Sequence, residues 1–225
     1  MTSTSSSTAS AISLRAGTLL APQLDYVLLD GSGSMQSKWW ATLGTIDTFM
    51  ECLRAQNIAS HGILHIFDSL DKDLIVRDNI IAEWPTFATD PVGAHWGGTP
   101  LYDAINIMGR RLSDLNPPRA SLVIVTDGDE NASKTNVTQA RSILDWCRAK
   151  GWQITFLGAD FNNQRQAKLL GANEANSVGV QGTKLLAAGK ALGDKRVRNA
   201  LYGEDINFSE DERQTFGGYL TGPQS

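Results

Sequence analysis

Four apolar runs, each of strand length and each separated from the next by a stretch with helical spacing, restrict this chain more than any other feature. Leu24-Asp25-Tyr26-Val27-Leu28-Leu29, Ile63-Leu64-His65-Ile66-Phe67, Leu122-Val123-Ile124-Val125 and Ile154-Thr155-Phe156-Leu157 are nearly continuous in apolar character, as strands covered on both faces of a parallel sheet must be. Between them, Trp39, Leu43, Ile46, Met50 and Leu53 fall on one helical face, as do Leu101, Ile105, Met108 and Leu112, and again Val137, Ala140, Leu144 and Cys147. Strands alternating with amphipathic helices make βαβ units, hence an open α/β sheet with helices on both faces. Leu74-Ile75-Val76 follows the second run after a polar turn too short for a crossover helix, so it is expected to pair antiparallel as an edge strand. Residues 165–170 and 183–192 read as helical, with Ser177-Val178-Gly179-Val180 as a last strand between them.

That organisation accounts for the middle of the chain, and composition bounds the rest. With 41% hydrophobic and 20% charged residues in 225, one domain with tails is expected. Residues 1–22 open on a Ser/Thr-rich stretch with neither the cationic start nor the apolar middle of a secretory signal, and read as a disordered tail. After Tyr202 the chain turns acidic, Glu204-Asp205-Ile206-Asn207-Phe208-Ser209-Glu210-Asp211-Glu212-Arg213, and then rich in Gly and polar residues, so 202–225 is expected to be an extension outside the core fold. No apolar stretch approaches the roughly 18 to 20 residues needed to cross a bilayer. A formal charge of −4 offers no bulk attraction for nucleic acid phosphates. Cys52 and Cys147 form no CxxC pattern and fall on apolar sides of helical patterns, which points to buried free thiols and a reducing cytoplasm.

The chemistry is concentrated in three short segments. Directly after the first strand, Asp30-Gly31-Ser32-Gly33-Ser34 alternates oxygen-bearing side chains with glycines that permit a tight loop. By itself this string also suits a helix cap at Ser34 or Ser37. Gly97-Gly98-Thr99-Pro100-Leu101 places a second hydroxyl on a glycine-rich loop before a helix that Pro100 can start. Asp127-Gly128 ends the run Leu122-Val123-Ile124-Val125-Thr126. In open α/β sheets ligands gather beyond the carboxyl ends of the strands, where Asp30 and Asp127 both fall. Mg²⁺ takes near-octahedral oxygen coordination and keeps several waters, held by one or two carboxylates rather than a full protein cage. Asp30, Ser32, Ser34, Thr99 and Asp127 form such a set, with room left for an outside ligand.

These three pieces, in this order, resemble the von Willebrand factor A family with its metal-ion-dependent adhesion site, and the stand-alone bacterial and viral branch more than the integrin inserted domains. The resemblance spans residues 23–201. It implies a doubly wound, Rossmann-like, mostly parallel six-stranded sheet with one antiparallel edge strand, and Mg²⁺ or Mn²⁺ held at the upper rim by the five residues just named. It also implies a mostly non-enzymatic protein-interaction module in which a partner's Asp or Glu carboxylate completes the metal shell; intracellular members often serve ATP-driven assembly or remodelling machines.

Other readings stay open at this point. A metal-dependent hydrolase is one alternative and a structural or accessory component of a virus particle another. No G-x-x-x-x-G-K-[ST] loop is present to hold nucleotide phosphates, and no His stands obviously near Ser32 or Ser34 to serve as a base. Asp129, Glu130 and Asn131 could bind a second cation or simply cap their loop, and Asp103 could cap its helix or support a ligand. Of Trp39 and Trp40 one is expected in the core; the other, with Trp96, is a candidate partner anchor. His61 and His65 are expected to pack.

Overall fold

The computed structural model describes residues 22–159 and 164–217. The tail expected at 1–22 lies, except for Pro22, outside the described residues, as does the chain beyond 217. Six strands form one sheet: β1 (Gln23–Asp30), β2 (Ser60–Phe67), β3 (Leu74–Ile80), β4 (Arg119–Thr126), β5 (Gln153–Ala159) and β6 (Ser177–Val180). Their spatial order is β3-β2-β1-β4-β5-β6, with β3 antiparallel to β2 and every other pair parallel. The helices are α1 (Trp39–Ala55), α2 (Leu101–Leu115), α3 (Val137–Ala149), α4 (Gln164–Leu169), α5 (Leu185–Tyr202) and α6 (Glu210–Gly217).

Successive strand residues point to opposite faces, and this splits the core in two. Val27, Leu29, Leu64, Ile66, Val123, Val125, Leu157 and Ala159 face one layer, with Leu43, Ile46 and Met50 of α1 and Leu185, Ala188 and Leu192 of α5. Tyr26, Leu28, Ile63, Phe67, Leu122, Ile124 and Phe156 face the other, with Ile105, Met108 and Leu112 of α2 and Leu144 and Cys147 of α3. The doubly wound sheet and its antiparallel edge strand are as the periodicity and the resemblance imply. Strand β3 runs on to Ile80: at the sheet edge Asp78 and Asn79 keep partial access to solvent, while the buried Arg77 pairs with Asp90 at 3.0 Å. His61 and His65 are both buried; the Tyr26 hydroxyl donates to His65 Nδ1 at 2.8 Å while His65 Nε2 donates to the Lys72 carbonyl at 2.8 Å.

Two expectations change. The segment after Tyr202 was expected outside the core, yet Ile206, Phe208 and Phe216 are buried in the same layer as α1 and α5. These three apolar side chains are spaced among charges that remain at the surface, so composition masks a docking face. Cys147 is buried and its thiol pushed up to about 12 by that burial, but Cys52 is only half-buried, at the seam of α1 and α5. Among the described residues no helix is long and apolar enough to cross a membrane.

That seam is unusually close. A Cβ on Gly189 would stand 2.5 Å from the carbonyl oxygen of Thr45, a backbone atom that no rotamer change can move. Gly189→Ala is therefore expected to lower stability by about 1–3 kcal/mol through overpacking, outweighing a helix-propensity gain of about 1 kcal/mol. A urea melt measures it, and an unchanged or raised midpoint would show that α5 can shift without loss.

Candidate metal centre

Strands β2, β1 and β4 are neighbours and parallel, so their carboxyl ends deliver Asp68, Asp30 and Asp127 side by side to one rim. The connecting loops are stitched together by main-chain bonds: Gly31 N donates to Phe67 O at 2.8 Å, Gly33 N to Gly97 O at 2.9 Å and Trp96 N to Gly31 O at 3.2 Å. Thr99 is held from the far side, its N–H donating to Asn131 Oδ1 at 2.8 Å and its carbonyl accepting from Asn131 N at 3.1 Å. Three segments far apart in sequence are thus locked around one point.

Asp30 is fully buried and accepts from Ser32 N at 2.8 Å and from the Thr126 hydroxyl at 2.6 Å. Burial raises its pKa to about 6; the bonds from Thr126 and Ser32 offset this only in part, and the Asp127 carboxylate pushes it the same way. The Ser32 and Ser34 hydroxyls are 3.1 Å apart, and Ser34 Oγ donates to Asp127 Oδ1 at 2.6 Å. Ser32 and Thr99 are nearly fully buried, whereas Ser34 is exposed. A Cβ on Gly128 would lie 3.6 Å from Ser34 Oγ and 3.7 Å from Thr99 Oγ1, so this glycine leaves clear the space that the two hydroxyls flank. All five residues expected as ligands meet on this rim. Among the described residues no group of three or more His, Cys, Asp or Glu gathers into a metal cluster. Two carboxylates with three hydroxyls are instead a donor set for a hard cation that keeps water, and the residues present fit Mg²⁺ or Mn²⁺.

Several contributors carry no distinctive sequence signal. Thr126, the last residue of β4, bonds Asp30; Lys38 places its ammonium 2.6 Å from Asp127 Oδ2. Asp68, within a string read only as a polar turn, is buried and accepts from Leu70 N at 2.7 Å, Asp71 N at 2.9 Å and His95 N at 3.0 Å, tying two rim loops together. The one available hint was its position immediately after a strand.

Asp103 does not support a ligand directly. Its carboxylate accepts from Thr135 N at 2.7 Å, Lys134 N at 3.1 Å and Lys72 Nζ at 2.5 Å. Burial would raise its pKa, but these bonds outweigh it and hold the group below the ordinary carboxylate range. Glu130 accepts from Tyr102 N, Ala132 N, Ser133 N and the Ser133 hydroxyl, which makes it a cap for its own loop and for the start of α2. Trp39 is the core member of the adjacent pair and Trp40 is 65% exposed; Trp96 packs edge-on against Trp39 with ring centres 5.1 Å apart. The Ser32 and Ser34 hydroxyls bond each other and Ser34 bonds Asp127; among the described residues neither hydroxyl is hydrogen-bonded to the imidazole that would activate a serine nucleophile.

Comparison with known proteins bears on the fold. No model of a protein family matches the chain, and no curated protein does. Among solved structures, the pilus adhesin SpaC from Lactobacillus rhamnosus GG is similar with a TM-score of 0.65 and 12% identity, over 82% of this chain and 32% of that one. A von Willebrand factor type A protein from Catenulispora acidiphila matches with a TM-score of 0.58 and 16% identity, over 77% and 42%. The chain therefore spans less than half the length of either protein. The manganese-loaded TRAP protein of Plasmodium vivax matches with a TM-score of 0.51 and 17% identity, over 76% and 73%. The strand order, the single antiparallel edge and these likenesses together give the chain the fold of a von Willebrand factor A domain.

Proposed function

We propose that this domain is a metal-dependent protein-interaction module, in which Asp30, Ser32, Ser34, Thr99 and Asp127 hold one Mg²⁺ or Mn²⁺ and an Asp or Glu carboxylate of a partner protein completes the shell. The observation that carries the reading is the convergence of two carboxylates and three hydroxyls from three loops on one rim of the sheet. Asp30 and Asp127 balance the ion's charge, and the hydroxyls supply neutral oxygens. The ion, when bound, offers a Lewis-acid position to an incoming carboxylate. The exposed Trp40 near the rim supplies apolar area for a partner to cover. Adhesive proteins and a manganese-loaded protein among the structural likenesses support the reading. Service in an assembly or remodelling complex belongs to the same proposal. So does a reducing, cytoplasmic setting, which the two free thiols favour.

Titration calorimetry tests the metal: one Mg²⁺ or Mn²⁺ per chain is expected, and Thr99→Ala is expected to weaken binding while the protein folds normally. Because a proton and the cation compete for Asp30, affinity is expected to fall as pH drops below about 6. Heat signals that are equal for wild type and for the pair Asp30→Ala, Asp127→Ala would mean that these residues are not the ligands. Partner affinity that is the same with Mg²⁺ and with chelator would remove the ion from the interaction.

A further inference from the structure

Lys38 lies at the end of the 3-10 turn Gly33–Lys38, the same turn that carries Ser34. Its ammonium stands 2.6 Å from Asp127 Oδ2 and 3.4 Å from the Ser34 carbonyl oxygen. The Asp127 side chain is 1% exposed and that of Lys38 20%, so the pair is largely withdrawn from water on one side and open on the other. Both oxygens of Asp127 are engaged, Oδ1 by the Ser34 hydroxyl and Oδ2 by Lys38. Asp30 differs, since its donors are the neutral Ser32 N–H and Thr126 hydroxyl.

We propose that Lys38 is an internal counter-cation that competes with the divalent ion for Asp127, so that metal loading of this rim proceeds by exchange of an ammonium for a metal. The inference rests on the function proposed above and adds the residue that sets the cation affinity.

Charge arithmetic gives the reason. Asp30, Asp127 and the Lys38 ammonium carry one net negative charge between them, which attracts a dication less than the two carboxylates alone would. A dication drawing on Asp127, directly or through ordered water, must compete with an ammonium held against a carboxylate that water scarcely reaches. Release is feasible because the lysine stem is flexible and the side chain is 20% exposed. An arginine or a second buried lysine partner would have made the pair harder to open. The exchange therefore tunes affinity downward without closing the site.

The test is calorimetry with Mg²⁺ and Mn²⁺ on the full chain, for wild type, Lys38→Gln and Lys38→Arg, alongside thermal melts of each in chelator. Lys38→Gln is expected to bind the ions about tenfold more tightly, because the dication then meets an unpaired Asp127. Lys38→Arg keeps the charge in a pair that is harder to open, and is expected to bind the ions no more tightly than wild type. In chelator, Lys38→Gln is expected to melt below wild type, since two facing carboxylates lose their compensating cation, and to regain the difference when Mg²⁺ is added. Ion binding by Lys38→Gln with none by wild type would uphold the competition and overturn metal use by the native domain. Equal affinity in wild type and Lys38→Gln would overturn the competition and leave the metal site standing. Silence in both would overturn both.

Discussion

Arg196→Met is expected to cost about 3–5 kcal/mol of folding stability, a large share of the total for a domain of this size. Arg196 and Asp25 are 1% and 0% exposed, on α5 and β1 respectively. Arg196 Nε donates to Asp25 Oδ1 at 2.7 Å, and its Nη2 donates to Asp25 Oδ2 at 3.3 Å and to Gln23 Oε1 at 3.1 Å. Nη1 donates to Asn199 Oδ1 at 3.2 Å, and the Ser60 hydroxyl also donates to Asp25. The pair fastens the last long helix to the first strand. Methionine fills much of the same volume, so the loss does not come from a cavity. It comes from leaving the Asp25 carboxylate buried with only a hydroxyl partner, because a lone buried charge keeps its desolvation penalty and loses the attraction that offset it. The double variant Asp25→Leu, Arg196→Met is expected to recover most of the stability. Urea melts of the single and double variants decide the matter. A loss below about 1 kcal/mol in the single variant would mean that water or a neighbour reaches Asp25 when Arg196 is gone.

Asp30→Asn is expected to have opposite effects on binding and on stability. Metal affinity should fall by about a hundredfold or more, because even residues that only support ligands cost 10- to 100-fold. The metal-free protein should become more stable at neutral pH. The pKa of Asp30 is raised from its ordinary 3.8 to about 6, so its ionisation penalises the folded state. Its favourable contribution is full below pH 3.8 and lost as pH rises through about 6, leaving a penalty of order 3 kcal/mol at pH 7 in the metal-free protein. Asparagine removes that charge and keeps the bonds: Oδ1 still accepts from Ser32 N, and the amide donates to Thr126 Oγ1, whose own proton turns to Gly128 O at 3.2 Å. The net gain expected is about 1–3 kcal/mol in chelator. His65, held neutral by burial with a pKa lowered to about 4, contributes stability that is lost as pH falls from 6.5 through 4, the opposite slope. The difference between wild type and Asp30→Asn cancels His65, and should shrink toward zero as pH falls from 7 to 4. A variant less stable than wild type in chelator, or one that binds Mg²⁺ as wild type does, would sink the account of Asp30 as a strained ligand.

Strand and helix positions were legible because apolar spacing records burial one element at a time. Residues 24–29, 63–67, 122–125 and 154–157 all lie inside observed strands, and Leu43, Ile46 and Met50 face the sheet as their spacing requires. The meeting of the proposed ligands on one rim was legible for a related reason: each of Asp30, Ser32, Ser34, Thr99 and Asp127 stands at the edge of a regular element, in loops where glycine marks a tight path. The docking of the last segment was not legible. Ile206, Phe208 and Phe216 are too few and too widely spaced to make a pattern, and α6 finds its place only against β6 and the α1 and α5 layer.

From the amino-acid sequence alone came the α/β class, the antiparallel edge after Phe67, and the set of oxygen-bearing residues that gather at the rim, since period and loop composition are local properties that do not depend on what lies opposite. Tertiary structure alone decided the charge pairing. Lys38 and Asp127 are separated by 89 residues, and Asp25 and Arg196 by 171. Each pair exists because the strand order brings remote segments together, and in each the strength of the contact comes from the low-dielectric surroundings that the closed fold creates. A charged side chain in an apolar run gives no local indication of its partner, because the energy that selects the partner appears only when water has left.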